Sequence, residues 1–205
     1  MKQLLTEYLP LQYDPNIISE AAGRGAPIVL RNVVLQRANA KNQNGRIYPI
    51  DVLQREAKKY ETLIQERRAT GELDHPESPV VNLKNVSHNV TKVWFKGEDL
   101  MGDIEILNTP SGNILRNLLE ANIRLGISSR GLGSVVDVGE DTVQVQDDFS
   151  LICFDVVSNP STQGAFINES ADPSAIKKAT RWQRVDELIY DLLSEMNCQT
   201  KVCKL

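Results

Sequence analysis

Residues Leu125–Gly133 read L-G-I-S-S-R-G-L-G, an apolar, strand-like run that carries two adjacent hydroxyls and an arginine before its closing glycines. Neighbouring side chains of an extended chain point to opposite faces. Leu125, Ile127 and Ser129 therefore share one face, and Gly126, Ser128 and Arg130 share the other. With the apolar set toward a core, Ser128 is expected to point outward beside Gly126, whose missing Cβ would let a second backbone come close. A strand that simply ends in a Ser/Gly turn is the plainer reading of the same residues.

Working back from this run, Thr109-Pro110-Ser111 reads as a helix start, and Ile114, Leu115, Leu118, Leu119 and Ile123 form the buried face of the helix that follows. Before it, strands on either side of Lys96-Gly97-Glu98-Asp99 predict a hairpin from Val90 to about Leu107. His88 opens that hairpin and is expected at the surface or a sheet edge. In G-E-L-D-H-P, Gly71–Pro76, the proline biases His75 toward an extended loop conformation. A helix is expected from about Asp51 to before Gly71, with Leu53, Ala57, Tyr60 and Ile64 on its inner face. The β-branched run from Ile28 predicts a buried strand. Residues 1–26, with Pro10, Pro15 and a Gly-rich end, read as a flexible leader.

Working forward, S-V-V-D-V, a Gly139-Glu140-Asp141 turn, T-V-Q-V-Q and D-D-F-S-L-I-C-F-D-V-V continue the β pattern. Asp155 sits inside the last apolar run, where a carboxylate buried without a partner would cost several kcal/mol. From Asp172-Pro173 onward, Trp182, Val185, Ile189, Leu192 and Met196 repeat in threes and fours, so residues 169–205 are expected to form an amphipathic helical tail. The domain proper is then 27–168.

The chain has 205 residues, 41% hydrophobic and 24% charged, with a formal net charge of −4. No dense Lys/Arg cluster argues for nucleic acid, and no apolar run approaches the ~18 residues of a membrane span. Cys153, Cys198 and Cys203 have neither zinc spacing nor a disulfide framework. No cofactor is expected.

Ser128, His75 and Asp155 are the residue types of a hydrolytic triad. A hydroxyl becomes nucleophilic when a base takes its proton; imidazole suits that task near neutral pH, and a carboxylate holds the ring and stabilises its cation. The N–H groups of Arg130 and Gly131 are candidates for the oxyanion hole. A metal-dependent hydrolase built on Glu72, Asp74 and His75 is the weaker reading, because no second ligand pair has i, i+4 spacing.

Four blocks, N-G-R-I-Y-P at 44–49, G-E-L-D-H-P at 71–76, L-G-I-S-S-R-G-L-G at 125–133 and D-V-V-S-N-P-S at 155–161, together resemble the prohead core proteases of T-even-like tailed bacteriophages. The resemblance implies an α+β fold related to herpesvirus assemblin, a mainly antiparallel β-barrel-type core flanked by helices. It implies a serine endopeptidase that degrades internal scaffold proteins and trims capsid proteins inside the immature head, in the host cytoplasm. Phage scaffold, core and capsid proteins would be its substrates, with neither nucleic acid nor membrane as partner, and a homo-oligomer is compatible with it. It points to His75 as base and to one of the serine pair as nucleophile. Ser128 falls on a G-L-S-type motif and Ser129 on a Ser-x-Gly pattern; Asp155 fits best as third member, with Asp148 as the alternative.

Such proteases are similar in cutting after glutamate that follows Ile or Leu by two residues. This chain offers Ile18-Ser19-Glu20, Ile167-Asn168-Glu169 and Leu5-Thr6-Glu7. Self-processing is expected at Glu20 and Glu169, and Arg130, Arg46 and Arg24 are unranked cations for the substrate carboxylate. The rival from another class is a non-catalytic scaffold- or capsid-binding module.

Overall fold

The structure, a computed structural model, describes residues 2–18, 21, 27–74, 76, 78–139 and 141–158. The expected tail, Glu20, Glu169, Arg24 and His75 lie outside the described residues. Strands β1 (Gln3–Pro10), β2 (Val29–Arg37), β3 (Arg46–Ile47), β4 (Thr70–Glu72), β5 (Val86–Lys96), β6 (Asp99–Ile106), β7 (Gly126–Gly133), β8 (Val135–Gly139), β9 (Thr142–Val145) and β10 (Ser150–Val157) build three sheets. Their orders are β1-β7-β10, β2-β6-β5-β4 and β3-β9-β8. All pairings between strands are antiparallel except β3 with β9. Helices α1 (Ile50–Gln65) and α2 (Pro110–Glu120) pack on them.

Local chemistry sets these elements. Thr109 caps α2 by accepting a hydrogen bond from Gly112 N at 2.9 Å, and Pro110 occupies the first turn, where its missing N–H costs nothing. Gly97, at φ 63°, makes the β5–β6 turn. In α1, Leu53, Ala57 and Tyr60 are buried as their spacing predicts. Glu56 is buried too; its carboxylate accepts from Lys59 Nζ at 2.7 Å, Arg55 Nε at 2.9 Å and Leu151 N at 3.0 Å.

A barrel-type wall is not what forms. Leu73 bridges in parallel to Val156 and joins the edge of the second sheet to β10, so the strands follow one another as β1-β7-β10-β4-β5-β6-β2. The two ends do not pair. A cavity of about 170 Å³ lies between Glu7–Leu9 of β1 and Leu35–Arg37 of β2. One reason is that the Thr6 carbonyl on β1 already accepts from Asn44 Nδ2 at 3.0 Å and Arg46 Nη1 at 3.2 Å. Another is that β2 is irregular between Leu30 and Val33 and again between Val34 and Gln36, which breaks its register.

The leader also departs from expectation. Gln3–Pro10 is β1, paired along its whole length with β7, and Leu11 and Ile18 are in the core. The acid at Glu7 interrupts the apolar alternation by which a strand is recognised, and only the folded chain shows that this acid is satisfied.

His88 is a fully buried core residue, not a surface one. Its Nε2 lies 2.9 Å from the Phe154 carbonyl, which can only accept, so Nε2 carries the proton and Nδ1 accepts from Ser87 Oγ at 2.8 Å. Burial lowers its pKa from 6.5 to about 4. Between those values the unfolded chain takes up a proton that the folded chain refuses, so stability falls as pH drops from 6.5 toward 4, by about 3 kcal/mol from this residue. Denaturant unfolding of wild type and His88→Gln across that interval checks this. The wild type is expected to lose more stability than the variant; equal slopes would contradict it.

Candidate active site

β7 is the middle strand of its sheet, and its alternation sorts the two serines. Ser128 lies opposite Asp155 of β10 and Tyr8 of β1; Ser129 lies opposite Phe154 and Glu7. Directly opposed residues share a face. Ser128 therefore shares its face with Arg130, Cys153 and Asp155, while Ser129 shares the core face with Ile127 and Phe154.

Ser128 is only 1% exposed, so the outward orientation expected for it does not hold. The space left by Gly126 is taken as well: a Cβ there would fall 1.7 Å from the Tyr8 ring. Ser129 is 3% exposed and its Oγ has no hydrogen-bond partner.

The Ser128 face continues into a buried ionic cluster. Arg130, 0% exposed, pairs through Nη2 with Glu72 Oε1 at 2.7 Å and through Nε with Asp155 Oδ2 at 2.9 Å. Its Nη1 donates to the Ser78 carbonyl at 2.8 Å, and Nη2 lies 3.1 Å from Cys153 Sγ. Glu72 also accepts from Asn82 N at 2.9 Å and Asn85 Nδ2 at 3.2 Å. Burial opposes the charge on Arg130, yet Cys153, Glu72 and Asp155 around it hold its pKa above the ordinary value. Burial also pushes up the Cys153 thiol and the Asp155 carboxyl, the latter against the pull of the Glu72 N–H and Arg130.

This cluster reaches the loop that carries His75. Glu72 N donates to Asp155 Oδ1 at 2.9 Å, and Asp74 N donates to the Val156 carbonyl at 2.8 Å. Asp74 adopts the left-handed conformation, φ 61°, which aspartate tolerates at a sharp turn. The segment entering the loop is thus laid along β10, one strand away from the serines.

Other candidates are placed elsewhere. Asp148 accepts from Ser134 N and Oγ, both at 2.9 Å, and ties down the turn after β7. Its carboxyl is held below the usual range, first by the Ser134 N–H. Arg130, committed to two buried carboxylates, has no donor set to offer a substrate carboxylate; Arg46 binds Glu7 of the same chain. Glu72 spends its carboxylate on Arg130, Asn82 and Asn85, which removes it as a metal ligand. Arg130 and Gly131 lie in a strand with a ladder on each side.

Residues 17–175 match the family described as prohead core protein serine protease. The chain belongs to that family. It is 32% identical over 140 residues to the prohead core protein protease of Enterobacteria phage T4, a match spanning 65% of this chain and 65% of that relative. Its fold resembles that of the bacteriophage T4 capsid assembly protease, gp21, with a TM-score of 0.66 and 24% identity, covering 78% of this chain and 99% of the other. The prohead protease family is thus represented here by a mixed α/β fold of mostly antiparallel sheets. The Glu72–Arg130–Asp155 cluster was missed in sequence, though a signal existed: two strand-like apolar runs each hold one unpaired ion, of opposite sign.

Proposed function

We propose that this prohead protease family member is a serine endopeptidase of capsid maturation, acting on scaffold and capsid proteins within the immature phage head. Ser128 is the nucleophile, His75 its base and Asp155 the carboxylate behind the base. The observation that carries this reading is the register of β7 and β10, which sets Asp155 directly opposite Ser128, while Asp155 also holds the strand that leads into the His75 loop. In the reaction the imidazole takes the hydroxyl proton as Oγ attacks the scissile carbonyl, and returns it to the leaving amine; water then releases the acyl group by the same route. Backbone amides on the β1 side of β7, including those of Arg130 or Gly131, become free to stabilise the oxyanion once β1 moves away.

Cleavage follows glutamate in (Ile/Leu)-x-Glu, and the chain cuts itself after Glu20 and Glu169, removing a leader and a helical tail. The fold is related to that of assemblin. Incubation of the full chain followed by intact-mass measurement tests this. Fragments ending at Glu20 and Glu169 are expected, together with cleavage of an added Ile-x-Glu peptide and at least a ~100-fold slower reaction on its Ile-x-Gln counterpart. A chain that stays intact and leaves both peptides intact would favour a binding module instead.

A further inference from the structure

Most strands that end a sheet here are accounted for. β10 and β4 are bridged to each other, β1 and β2 face each other across a cavity, and β3 is only two residues long. β8 (Val135–Gly139) differs: it ends the third sheet beyond β9, and among the described residues no strand pairs with its outer edge. Gln146 N donates to the Ser134 carbonyl at 3.0 Å, so Ser134 and Val136 turn their backbone groups toward β9. The alternate residues, Val135 and Asp137, therefore turn theirs outward.

The side chains of this edge are unlike those of a strand meant to stay in water. Val135 leans on the core around Tyr48 and Phe149, while Val136 and Val138 are each 52% exposed. Exposed valines on an open edge invite a further strand, and proteins commonly blunt such edges with charge. Here the charge has one sign. Ser134–Phe149 holds five acidic residues and neither Lys nor Arg. Asp137 is exposed at the middle of the edge, with Oδ1 accepting from Gly139 N at 2.8 Å. Pairing β8 with β8 of a second copy about Asp137 would set like charges opposite each other, whereas a basic residue at that place is favourable. The edge thus disfavours its own copy and favours a cationic strand.

We propose that the outer edge of β8 docks an extended segment of a protein partner in which apolar β-branched residues alternate with lysine or arginine. The segment adds a strand to β3-β9-β8 by hydrogen bonds to the backbones of Val135 and Asp137. Its apolar residues cover Val136 and Val138, and its cations lie beside Asp137. This surface is in a different sheet from Ser128, and docking on it needs no cleavage.

The test uses the full chain with Ser128→Ala and Ser129→Ala, which keeps it intact, and a fluorescent peptide alternating lysine and valine over about six residues. This peptide is expected to bind at least ~10-fold more tightly than its glutamate–valine counterpart. It should also slow amide exchange at Val135 and Asp137, with exchange in β5 and β6 unchanged. N-methylation of alternate peptide amides, which removes the ladder donors and keeps every charge, should weaken binding at least ~10-fold. Asp137→Lys is expected to lower the preference for the lysine peptide at least ~10-fold. Should that change disturb the turn, Asp137→Asn keeps an acceptor for Gly139 N and should still weaken lysine-peptide binding ~3-fold. Equal binding of the N-methylated peptide would show attraction by charge alone and overturn the proposal. So would unchanged exchange at Val135 and Asp137, or an unaltered preference in both Asp137 variants.

Discussion

Ser128→Ala is expected to lower kcat/KM for a Leu-x-Glu peptide by at least ~1,000-fold, while Ser129→Ala costs less than ~10-fold. The two hydroxyls are neighbours in sequence and lie on opposite faces of β7. Ser128 stands with Asp155 and next to the strand that leads to His75, so on the proposed mechanism its removal takes away the attacking atom. Ser129 stands with Ile127 and Phe154 on the core face, and its Oγ has no hydrogen-bond partner. A buried hydroxyl without a partner is a net cost, so Ser129→Ala should fold with unchanged stability or a gain of up to about 1 kcal/mol. Steady-state kinetics and denaturant unfolding on both variants decide the matter. The reverse pattern would move the nucleophile to Ser129, and full activity in both variants would end the serine mechanism.

Arg130→Met is expected to cost about 3–5 kcal/mol of stability. Arg130, Glu72 and Asp155 are all fully buried, and together they carry one positive and two negative charges. Removing the guanidinium leaves two uncompensated carboxylates out of water; removing one carboxylate leaves a neutral pair. Asp155→Asn should therefore fold with a loss of roughly 1–2 kcal/mol, its side-chain oxygen still accepting from Glu72 N. On the proposed mechanism the same variant should lose activity well beyond that stability change, because a neutral amide would not stabilise an imidazolium. Unfolding midpoints and rates on both variants separate the two roles. If Asp155→Asn kept wild-type activity, Asp155 would be a structural ion only. If Arg130→Met kept wild-type stability, the cluster would not be what joins β7 to the His75 loop.

Much of the architecture was legible in the chain because it rests on local rules. Thr109-Pro110 starts a helix wherever it is placed, Gly97 turns the β5–β6 hairpin, and the alternation of Leu125–Gly133 separates Ser128 from Ser129 before any fold is known. The family resemblance likewise sits in short blocks that survive as linear text. Other features depend on pairs of residues far apart in sequence. His88 is a core residue because Phe154 offers it a carbonyl, and Ser128 is buried at a position paired with Tyr8 of β1 and Asp155 of β10.

β1 shows the division most sharply. As a sequence, Gln3–Pro10 is a short, proline-ended stretch interrupted by acid, with nothing in it to hold a strand. Its stability comes from four donors on the segment from Asn42 to Tyr48 and from an edge of β7 more than a hundred residues later. Composition and spacing determine which faces a segment can offer. Which polar groups are satisfied, and so which charged residue can be buried and which hydroxyl is left unpaired, is decided only when distant donors and acceptors are brought within hydrogen-bonding distance.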